Sequence, residues 1–355
     1  MESYYPYELY GRPADERAVA QALAQWDSVA KPLHGLGRLE DMLVRIAGIQ
    51  GTADIAIRRR AILVFCADNG VTAQGVTQTG SHVTALVADN IASGKASVNR
   101  MCAESGTDVY AVDIGIRDAV HARAMLSCRI GNGTKDFTRE PAMSRAQVIQ
   151  AIDTGIRLVG TLKEQGYTLL GTGEMGIGNT TTAGAVAAAL LHLPAEQTTG
   201  RGAGLSDVGL QRKRQVIEEA LQRYHLWEKP VLDVLSCVGG FDIAGMAGAF
   251  IGGCIYGVPI VIDGMISAVA ALAASMLCRQ SVGCMLASHM SREPCMTAVM
   301  EHLGLFPVID GRLALGEGTG AALLFPMLDM AESVYRSNET FENIHLERYQ
   351  RYEES

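Results

Sequence analysis

The chain has 355 residues, of which 48% are hydrophobic and 19% charged, and its net charge at pH 7 is −8. This balance is typical of a globular protein with a large core and excludes a disordered or fibrous chain. Lys and Arg residues are scattered without forming a basic stripe, so we expect no nucleic acid partner. The apolar run 243–263 is interrupted by Gly, Pro and Asp, and the N-terminus lacks the layout of an export signal. We therefore expect no membrane segment.

The eight cysteines are widely spaced, and none forms a CxxC pair. Several lie in apolar runs, where a free cysteine behaves as a small hydrophobic residue. This usage predicts reduced thiols in a cytoplasmic protein, without a metal site.

Two helices are predicted near the N-terminus. Residues 14–30 have an amphipathic pattern that Lys31-Pro32 ends, and a second helix covers 38–51, where Gly51 stops it. The segment 319–337 predicts a further helix, followed by a polar tail. Because these helices lie at the two ends of the chain, we expect them to pack together as a small helical unit.

Apolar runs of strand length alternate with helical patterns through the middle of the chain, and each run ends at a turn with Gly or Asp. The predicted strands are 61–70, 108–115, 167–174, 259–264 and 283–288. The intervening helices include 82–94, 143–166 and 296–304. Continuous apolar strands that alternate with helices predict an α/β fold with a parallel sheet covered on both faces. Ligands of such sheets bind beyond the carboxyl ends of the strands, where the turns lie.

The stretch GTGEMGIGNTT (171–181) carries the first candidate site. Residues 171–176 fit the pattern GxGxxG, which suggests a loop that binds a dinucleotide. That interpretation needs a strand ending in an acidic residue about twenty positions later. Glu196 lies at that distance, but it follows a predicted helix end and lies in a loop. Glu174 would also repel a pyrophosphate, so we disfavour NAD.

A sugar monophosphate fits this stretch better. The side chains of Asn179, Thr180 and Thr181 and the backbone N–H groups at a helix N-terminus can meet phosphate oxygens. Glu174 can accept hydrogen bonds from ribose hydroxyls in the same loop. The alternative is that Asn and Thr only cap the helix, which is about as common.

A second acidic residue lies in the glycine-rich stretch LALGEGTGAALLFP (313–326). Glu317 has glycine on both sides, and Thr319 and Gly320 begin an Ala-rich helix. Small neighbours allow a ligand to approach the carboxylate closely. Glu317 can instead be an ordinary acid of the first helical turn. Two carboxylates with separate roles, one for a sugar and one for a proton, suit glycosyl transfer.

Several motifs together resemble one known family, the nicotinate-nucleotide–dimethylbenzimidazole phosphoribosyltransferases, between about residues 25 and 335. They are KPLHGLGRLEDMLVRIAGIQG (31–51), VFCADNGV (64–71), GTGEMGIGNTT (171–181), GGFDIAGMAGA (239–249), VIDGMISAVAALAA (261–274), SHMSREP (288–294) and LGEGTGAA (315–322).

The resemblance implies a Rossmann-like large domain at 56–324 and a small helical domain made of 1–55 and 325–355. It also implies a dimer with composite sites that converts β-nicotinate mononucleotide and an aromatic base into the α-riboside 5′-phosphate and nicotinate. No cofactor or metal is expected. The family's general base corresponds to Glu317 and its ribose-binding acid to Glu174.

Other family positions supply the remaining candidates for substrate binding. Lys213 is our candidate for the cation that neutralises the phosphate, although it can equally be a solvated helix residue beside Arg212 and Arg214. The remaining positions expected to line the substrates are Gly176, Gly202, Gly204, Ser291 and Leu315.

The sequence departs from the usual family pattern at several places. KPLHGLG stands where KPPGSLG is usual, Asn69 replaces a His, and Cys295 replaces a Gly. Thr79 and Met175, usually Ser and Leu, align with positions around the aromatic base. They leave open a second acceptor, phenol or p-cresol, which a related branch of the family activates as a heterodimer of two homologous chains.

Overall fold

The computed structural model of the chain describes residues 6–9, 11–336 and 339–350. The strands in the described residues are β1 (Arg60–Ala67), β2 (Asp108–Gly115), β3 (Leu126–Ser127), β4 (Leu169–Met175), β5 (Ile260–Ile262) and β6 (Met285–Ala287). The α-helices are α1 (Glu16–Ser28), α2 (Arg38–Gln50), α3 (His82–Ala92), α4 (Ser97–Ala103), α5 (Arg145–Glu164), α6 (Asn179–Leu191), α7 (Ala195–Thr198), α8 (Asp207–Tyr224), α9 (Val231–Val238), α10 (Phe241–Tyr256), α11 (Met265–Leu277), α12 (Met296–Leu303) and α13 (Thr319–Tyr335).

The strands form one parallel sheet in the order β3-β2-β1-β4-β5-β6. This is the strand order of the dinucleotide-binding Rossmann sheet. The order reverses direction between β1 and β4, and a crevice opens there beyond the carboxyl ends of the strands. The predicted Rossmann-like parallel sheet with helices on both faces is confirmed.

Strand β1 shows why both faces are covered. All eight of its residues are buried, because neighbouring strands and helices surround it. Leu63 and Phe65 point to the core beneath α5, α10 and α11, whereas Ile62 and Val64 point to the core beneath α2 and α13. The alternation follows from the two-residue period of a strand, and it divides the hydrophobic core into two layers.

Most elements lie where the sequence pattern predicts them. Strand β2 has the predicted bounds, and α1, α5 and α12 begin within two residues of the predicted starts. Gly51 ends α2 with a φ of 71°, a left-handed conformation that glycine adopts without steric cost. The two-residue strand β3 at the sheet edge carries no apolar run, and its pattern is too short to predict.

Helices α5 and α10 pack with their backbones in direct contact. A Cβ atom added at Gly155 would lie 2.6 Å from the backbone nitrogen of Ala249, and one added at Gly248 would overlap the carbonyl oxygen of Ile152. Only glycine permits this approach. The close packing fixes the N-terminus of α10, where Asp242 faces the carboxyl edge of the sheet.

The helices from both chain ends pack on each other. Trp26 of α1 and Tyr335 of α13 form an edge-to-face aromatic pair with ring centroids 5.1 Å apart. Pro326 lies inside α13, so the carbonyl of Ala322 lacks the N–H that a helix would normally supply. Apolar residues of these helices also belong to the core layer beneath β1. The division into a small helical domain (1–55 with 325–355) and a large domain (56–324) stays a prediction. Within the described ranges, no helix is long and apolar enough to cross a membrane.

Candidate active site

A pocket lies at the carboxyl edge of the sheet, beside the reversal point between β1 and β4. We call it the strand-end pocket. Its lining includes Glu174, Met175, Gly176, Asn179, Thr180, Gly202, Asp263, His289, Ser291, Glu293, Leu315 and Glu317. Residues from five separate stretches of sequence therefore meet there, as expected for a parallel sheet that reverses direction.

The GxGxxG stretch is not a loop, and that part of the sequence interpretation is wrong. Strand β4 continues to Met175, so Gly171, Gly173 and Glu174 are strand residues paired with β1. The turn begins only at Gly176, where an added Cβ would overlap the carbonyl oxygen of Ala67 in β1. A dinucleotide-binding turn needs glycines after the strand, and here two of them lie inside it. Glu174 consequently projects from the end of a rigid strand.

Glu174 is part of a buried network of acids. The side-chain amide of Asn179 donates to a carboxylate oxygen of Glu174 and, at 3.3 Å, to Oδ2 of Asp242. Burial raises the pKa of Glu174 to about 8, and the negative charge of Asp242 acts in the same direction. Burial also raises the pKa of Asp242 to about 6. At neutral pH this environment therefore favours a protonated Glu174.

Glu317 lies in a strained turn directly before α13. Residues 316–318 all have a positive φ, and the value for Glu317 is 62°. A Cβ added at Gly173 would lie 2.5 Å from the carbonyl oxygen of Glu317, so a glycine in β4 lets the turn approach the sheet. One carboxylate oxygen of Glu317 accepts from the backbone N–H of Val98 at 3.4 Å. Burial raises the pKa of Glu317, which suits a proton acceptor at neutral pH.

A buried cation lies behind the wall of the pocket that Thr180 and Gly202 form. Lys213 of α8 is fully buried, and its Nζ donates to Oγ1 of Thr180 at 2.9 Å and to the carbonyl of Gly200 at 3.2 Å. An ammonium group has three N–H donors, so one remains for a ligand. Burial lowers the pKa of Lys213 to about 8, while the charge of Glu293 opposes this shift.

The same wall already carries one carboxylate. Oε1 of Glu293 accepts from the backbone N–H of Gly202 at 3.2 Å. Its second oxygen, Oε2, is buried and finds no hydrogen-bond partner among the described residues. This wall of the pocket therefore carries both an acid, Glu293, and a cation, Lys213.

The remaining candidates fall into two groups. Met175, Gly176, Ser291 and Leu315 line the strand-end pocket, and the side chain of Leu315 is 56% exposed at its mouth. The other group does not reach the pocket in a single chain. The side chain of Thr181 is fully buried in α6. Thr79 is exposed in the loop before α3, which contacts the 200–206 loop through a hydrogen bond from Gln78 to the carbonyl of Gly204.

The polar residues at or beside the pocket that sequence reasoning missed include Asn69, Asp242, Asp263, His289 and Glu293. Asn69 accepts from Oγ1 of Thr182 at 2.7 Å and faces Asp242. Asp263 directly follows β5, and its position at a strand end was a usable signal. His289 lies beside Asp263, whose charge opposes the lowering of the histidine pKa by burial. In the described part of the chain, no group of three or more His, Cys, Asp or Glu residues is arranged to hold a metal ion.

Comparison with known proteins decides the family. A family model described as "Phosphoribosyltransferase" matches residues 12–345. The nicotinate-nucleotide–dimethylbenzimidazole phosphoribosyltransferase of Acetivibrio thermocellus is 43% identical over 97% of this chain and 96% of its own length. The chain belongs to this phosphoribosyltransferase family.

Relatives from other organisms agree. The phosphoribosyltransferase of the same name from Chloroflexus aurantiacus is 42% identical over 93% of this chain and 94% of its own length. The crystal structure of CobT from Thermus thermophilus superposes with a TM-score of 0.89 at 36% identity, covering 94% of this chain and all of that one. The strand-end pocket of this phosphoribosyltransferase thus lies in a fold shared over nearly its whole length.

Proposed function

We propose that the protein transfers ribose 5-phosphate from β-nicotinate mononucleotide to 5,6-dimethylbenzimidazole. The products are the α-riboside 5′-phosphate and nicotinate, in the synthesis of a cobamide lower ligand. The names of the relatives support this substrate pair. The observation that carries the proposal is the placement of Glu317 and Glu174 in one pocket together with Thr180, whose hydroxyl accepts a hydrogen bond from Lys213.

The distribution of charge suits this donor. Lys213, Thr180 and the backbone of the 200–204 loop lie together on one wall and fit a monophosphate. Glu174 lies at the end of β4, within reach of ribose hydroxyls, and in its protonated form it can both donate and accept hydrogen bonds. When the phosphate binds, its negative charge favours the ammonium form of Lys213.

One proton acceptor is enough for the chemistry. The nicotinate ring is a pyridinium in the donor, so it leaves with the electron pair of the C1–N bond and needs no proton. One nitrogen of the benzimidazole attacks C1 from the opposite face, and the N–H proton of the azole passes to Glu317 as the new C–N bond forms. A single displacement inverts C1, which converts the β-riboside into the α-riboside.

A second acceptor, phenol or p-cresol, is supported by one residue. Met175 lines the pocket, and its unbranched side chain adapts to ligands of different shape. For a phenol the attacking atom is oxygen, and the O–H proton passes to Glu317 in the same way. We keep this as the alternative function.

We further propose that the protein acts as a homodimer or, with a homologous chain, as a heterodimer. Leu315 lines the pocket and is exposed, so the bound base or a second chain can contact it there. All eight cysteines are free thiols, which fits the reducing cytoplasm that we propose as its location. Light scattering of the chain alone, and after co-expression with a homologue, tests the assembly.

The decisive experiment is product analysis. The purified protein receives nicotinate mononucleotide with dimethylbenzimidazole, with phenol and with both, and the ribosides are resolved by chromatography and mass spectrometry. We expect the benzimidazole α-riboside 5′-phosphate to dominate. Release of nicotinate without any riboside would contradict the transfer.

The Glu317→Gln variant tests the proton acceptor. Gln keeps the size of the side chain but cannot take the proton, so we expect turnover to fall roughly 100-fold, as is typical when a general base is lost. Calorimetric titration with nicotinate mononucleotide is the control, because binding of the donor should survive. Near-normal turnover in the folded variant would exclude the role of Glu317.

A further inference from the structure

The N-terminus of α13 is capped by a residue from a different part of the chain. The helix is preceded by Gly318, which has no side chain to accept from its first N–H groups. Asp263, directly after β5, fills this role. Its Oδ2 accepts from the N–H of Gly318 at 3.1 Å and its Oδ1 from the N–H of Gly320 at 2.6 Å. Only 2% of Asp263 is exposed, so water does not compete for these bonds.

The turn that Asp263 holds would not keep its shape unaided. Gly316, Glu317 and Gly318 have φ values of 81°, 62° and 93°. For Glu317, which carries a Cβ, a left-handed conformation is sterically disfavoured. Such strain persists only where the surroundings fix it. The backbone of Gly173 supports the turn from below, and Asp263 fixes it from the side.

We propose that Asp263 is a positioning residue, which holds the strained turn so that the carboxylate of Glu317 points into the strand-end pocket. This rests on the proposed function, because it assumes that Glu317 accepts the proton of the incoming base. Asp263 itself needs no contact with substrate. Both of its oxygens are committed to backbone N–H groups on either side of Thr319.

The charge of Asp263 provides a readout that a purely structural residue would not give. Three titratable groups surround the turn: Asp263 from the end of β5, Glu174 from β4, and His289 beside Asp263 after β6. Helix α4 contributes the backbone N–H of Val98. Burial raises the pKa of Glu317 and Asp263 adds to the rise, so removing this charge should lower that pKa. The acid side of the kcat–pH profile should then move to lower pH.

The test compares Asp263→Asn with Thr319→Val. Asn keeps the size but loses the charge and places an N–H₂ group against one of the two backbone donors. Because a misplacement of about 1 Å costs on the order of 100-fold, we expect kcat to fall roughly 10- to 100-fold. The KM for nicotinate mononucleotide should stay near its original value, since Asp263 makes no hydrogen bond to Lys213 or Thr180, which we propose to hold the phosphate. The acid limb of kcat should shift to lower pH.

Thr319→Val is the matched control. It removes the hydrogen bond from Oγ1 of Thr319 to the carbonyl of Gly316, 2.8 Å long, in the same turn without changing any charge. We expect it to lower thermal stability and leave the acid limb in place. Both substrates are common to all variants, so their own titrations cancel in the comparison.

Parallel measurement of Glu317→Gln distinguishes a failure of the proposed function from a failure of the proposed role of Asp263. If that variant keeps its turnover, the proposed proton acceptor and the role of Asp263 fall together. If it is inactive while Asp263→Asn keeps the original kcat and acid limb, only the role of Asp263 is refuted. The kcat and its pH profile are also measured for Asp263→Ser, a second neutral variant with a shorter side chain, in case Asp263→Asn does not fold. Should neither Asp263 variant fold while Thr319→Val does, Asp263 is a structural residue and the positioning role is overturned.

Discussion

Glu174 should destabilise the protein at neutral pH when no substrate is bound, and the Glu174→Gln variant should therefore have a higher free energy of unfolding. The side chain is partly buried beside Asp242, and its pKa is raised from 4.5 to about 8, mainly by burial. Between these values the folded state holds a proton that the unfolded state releases, so the free energy of unfolding falls as pH rises. The stabilising contribution of the protonated form is complete below pH 4.5 and is lost as pH rises through 8. A Gln side chain resembles protonated Glu and has no such dependence.

The size of the effect follows from the shift. One pKa unit corresponds to 1.36 kcal/mol, so the Gln variant should gain about 3 kcal/mol over the original protein at pH 7. At pH 5 the gain should shrink to about 1 kcal/mol or less, because the carboxyl group of the unfolded chain, with an ordinary pKa near 4.5, is then much less ionised than at pH 7. Asn179 can still donate to the Gln side-chain oxygen, so the hydrogen bond is kept.

Equilibrium unfolding in urea at pH 5, 6, 7 and 8 measures the difference. Glu164→Gln, an exposed position at the end of α5, is the control and should show little dependence on pH. A stability difference that stays constant from pH 5 to pH 8 would mean that Glu174 is ionised and hydrated in the folded protein, and would refute the reasoning.

Three further outcomes are expected. Gly173→Ala places a Cβ within 2.7 Å of three backbone atoms of the Glu317 turn, and it should cost about 1–3 kcal/mol and lower kcat at least tenfold. Gly283→Ala is the control, because its added Cβ meets no atom within 4 Å, and it should change the free energy of unfolding by less than about 0.5 kcal/mol. Urea unfolding measures both variants. Equal losses of stability in the two would contradict the close contact between Gly173 and the Glu317 turn. Lys213→Met should raise the KM for nicotinate mononucleotide roughly 10- to 100-fold, which is typical for loss of a hydrogen bond from a charged group. The KM for the aromatic base should change little. An unchanged KM for nicotinate mononucleotide would exclude a contact between Lys213 and the phosphate. Thr79→Ser with Met175→Leu should shift the product ratio from phenol towards dimethylbenzimidazole by roughly 10- to 200-fold. An unmoved ratio would place acceptor choice elsewhere.

Local patterns predicted the fold well, because each depends on neighbouring residues. The continuous apolar run of β2 and the glycine stop of α2 are examples, and the start of α13 after Glu317 also followed from its own glycines. The predicted strand 167–174 also placed Glu174 at a strand end, but the GxGxxG interpretation treated the same residues as a loop, because glycines in a strand look like glycines in a loop until the pairing with β1 is known.

The contacts within the site are the part that the sequence could not supply. Asp263 and Gly318 are 55 residues apart, and no local pattern links a strand-end acid to a distant helix. Asn179 looked free to meet a phosphate, yet its amide is directed towards Glu174 and Asp242, 63 residues away. Such orientations depend on packing between elements, which sequence spacing alone does not encode.

The proline in α13 divides the protein into units that should open separately. Before Pro326 the helix rests on the sheet, where Ala321 packs against Gly171, and after it the helix reaches Tyr335 and its aromatic contact with Trp26. The missing hydrogen bond at Ala322 is a weak point in the backbone ladder between these halves. In native-state hydrogen exchange we expect α1, α2 and the second half of α13 to exchange together, at a lower free energy than β1 and β4. The N-terminal helices could then detach and return while the turn that carries Glu317 stays folded on the sheet.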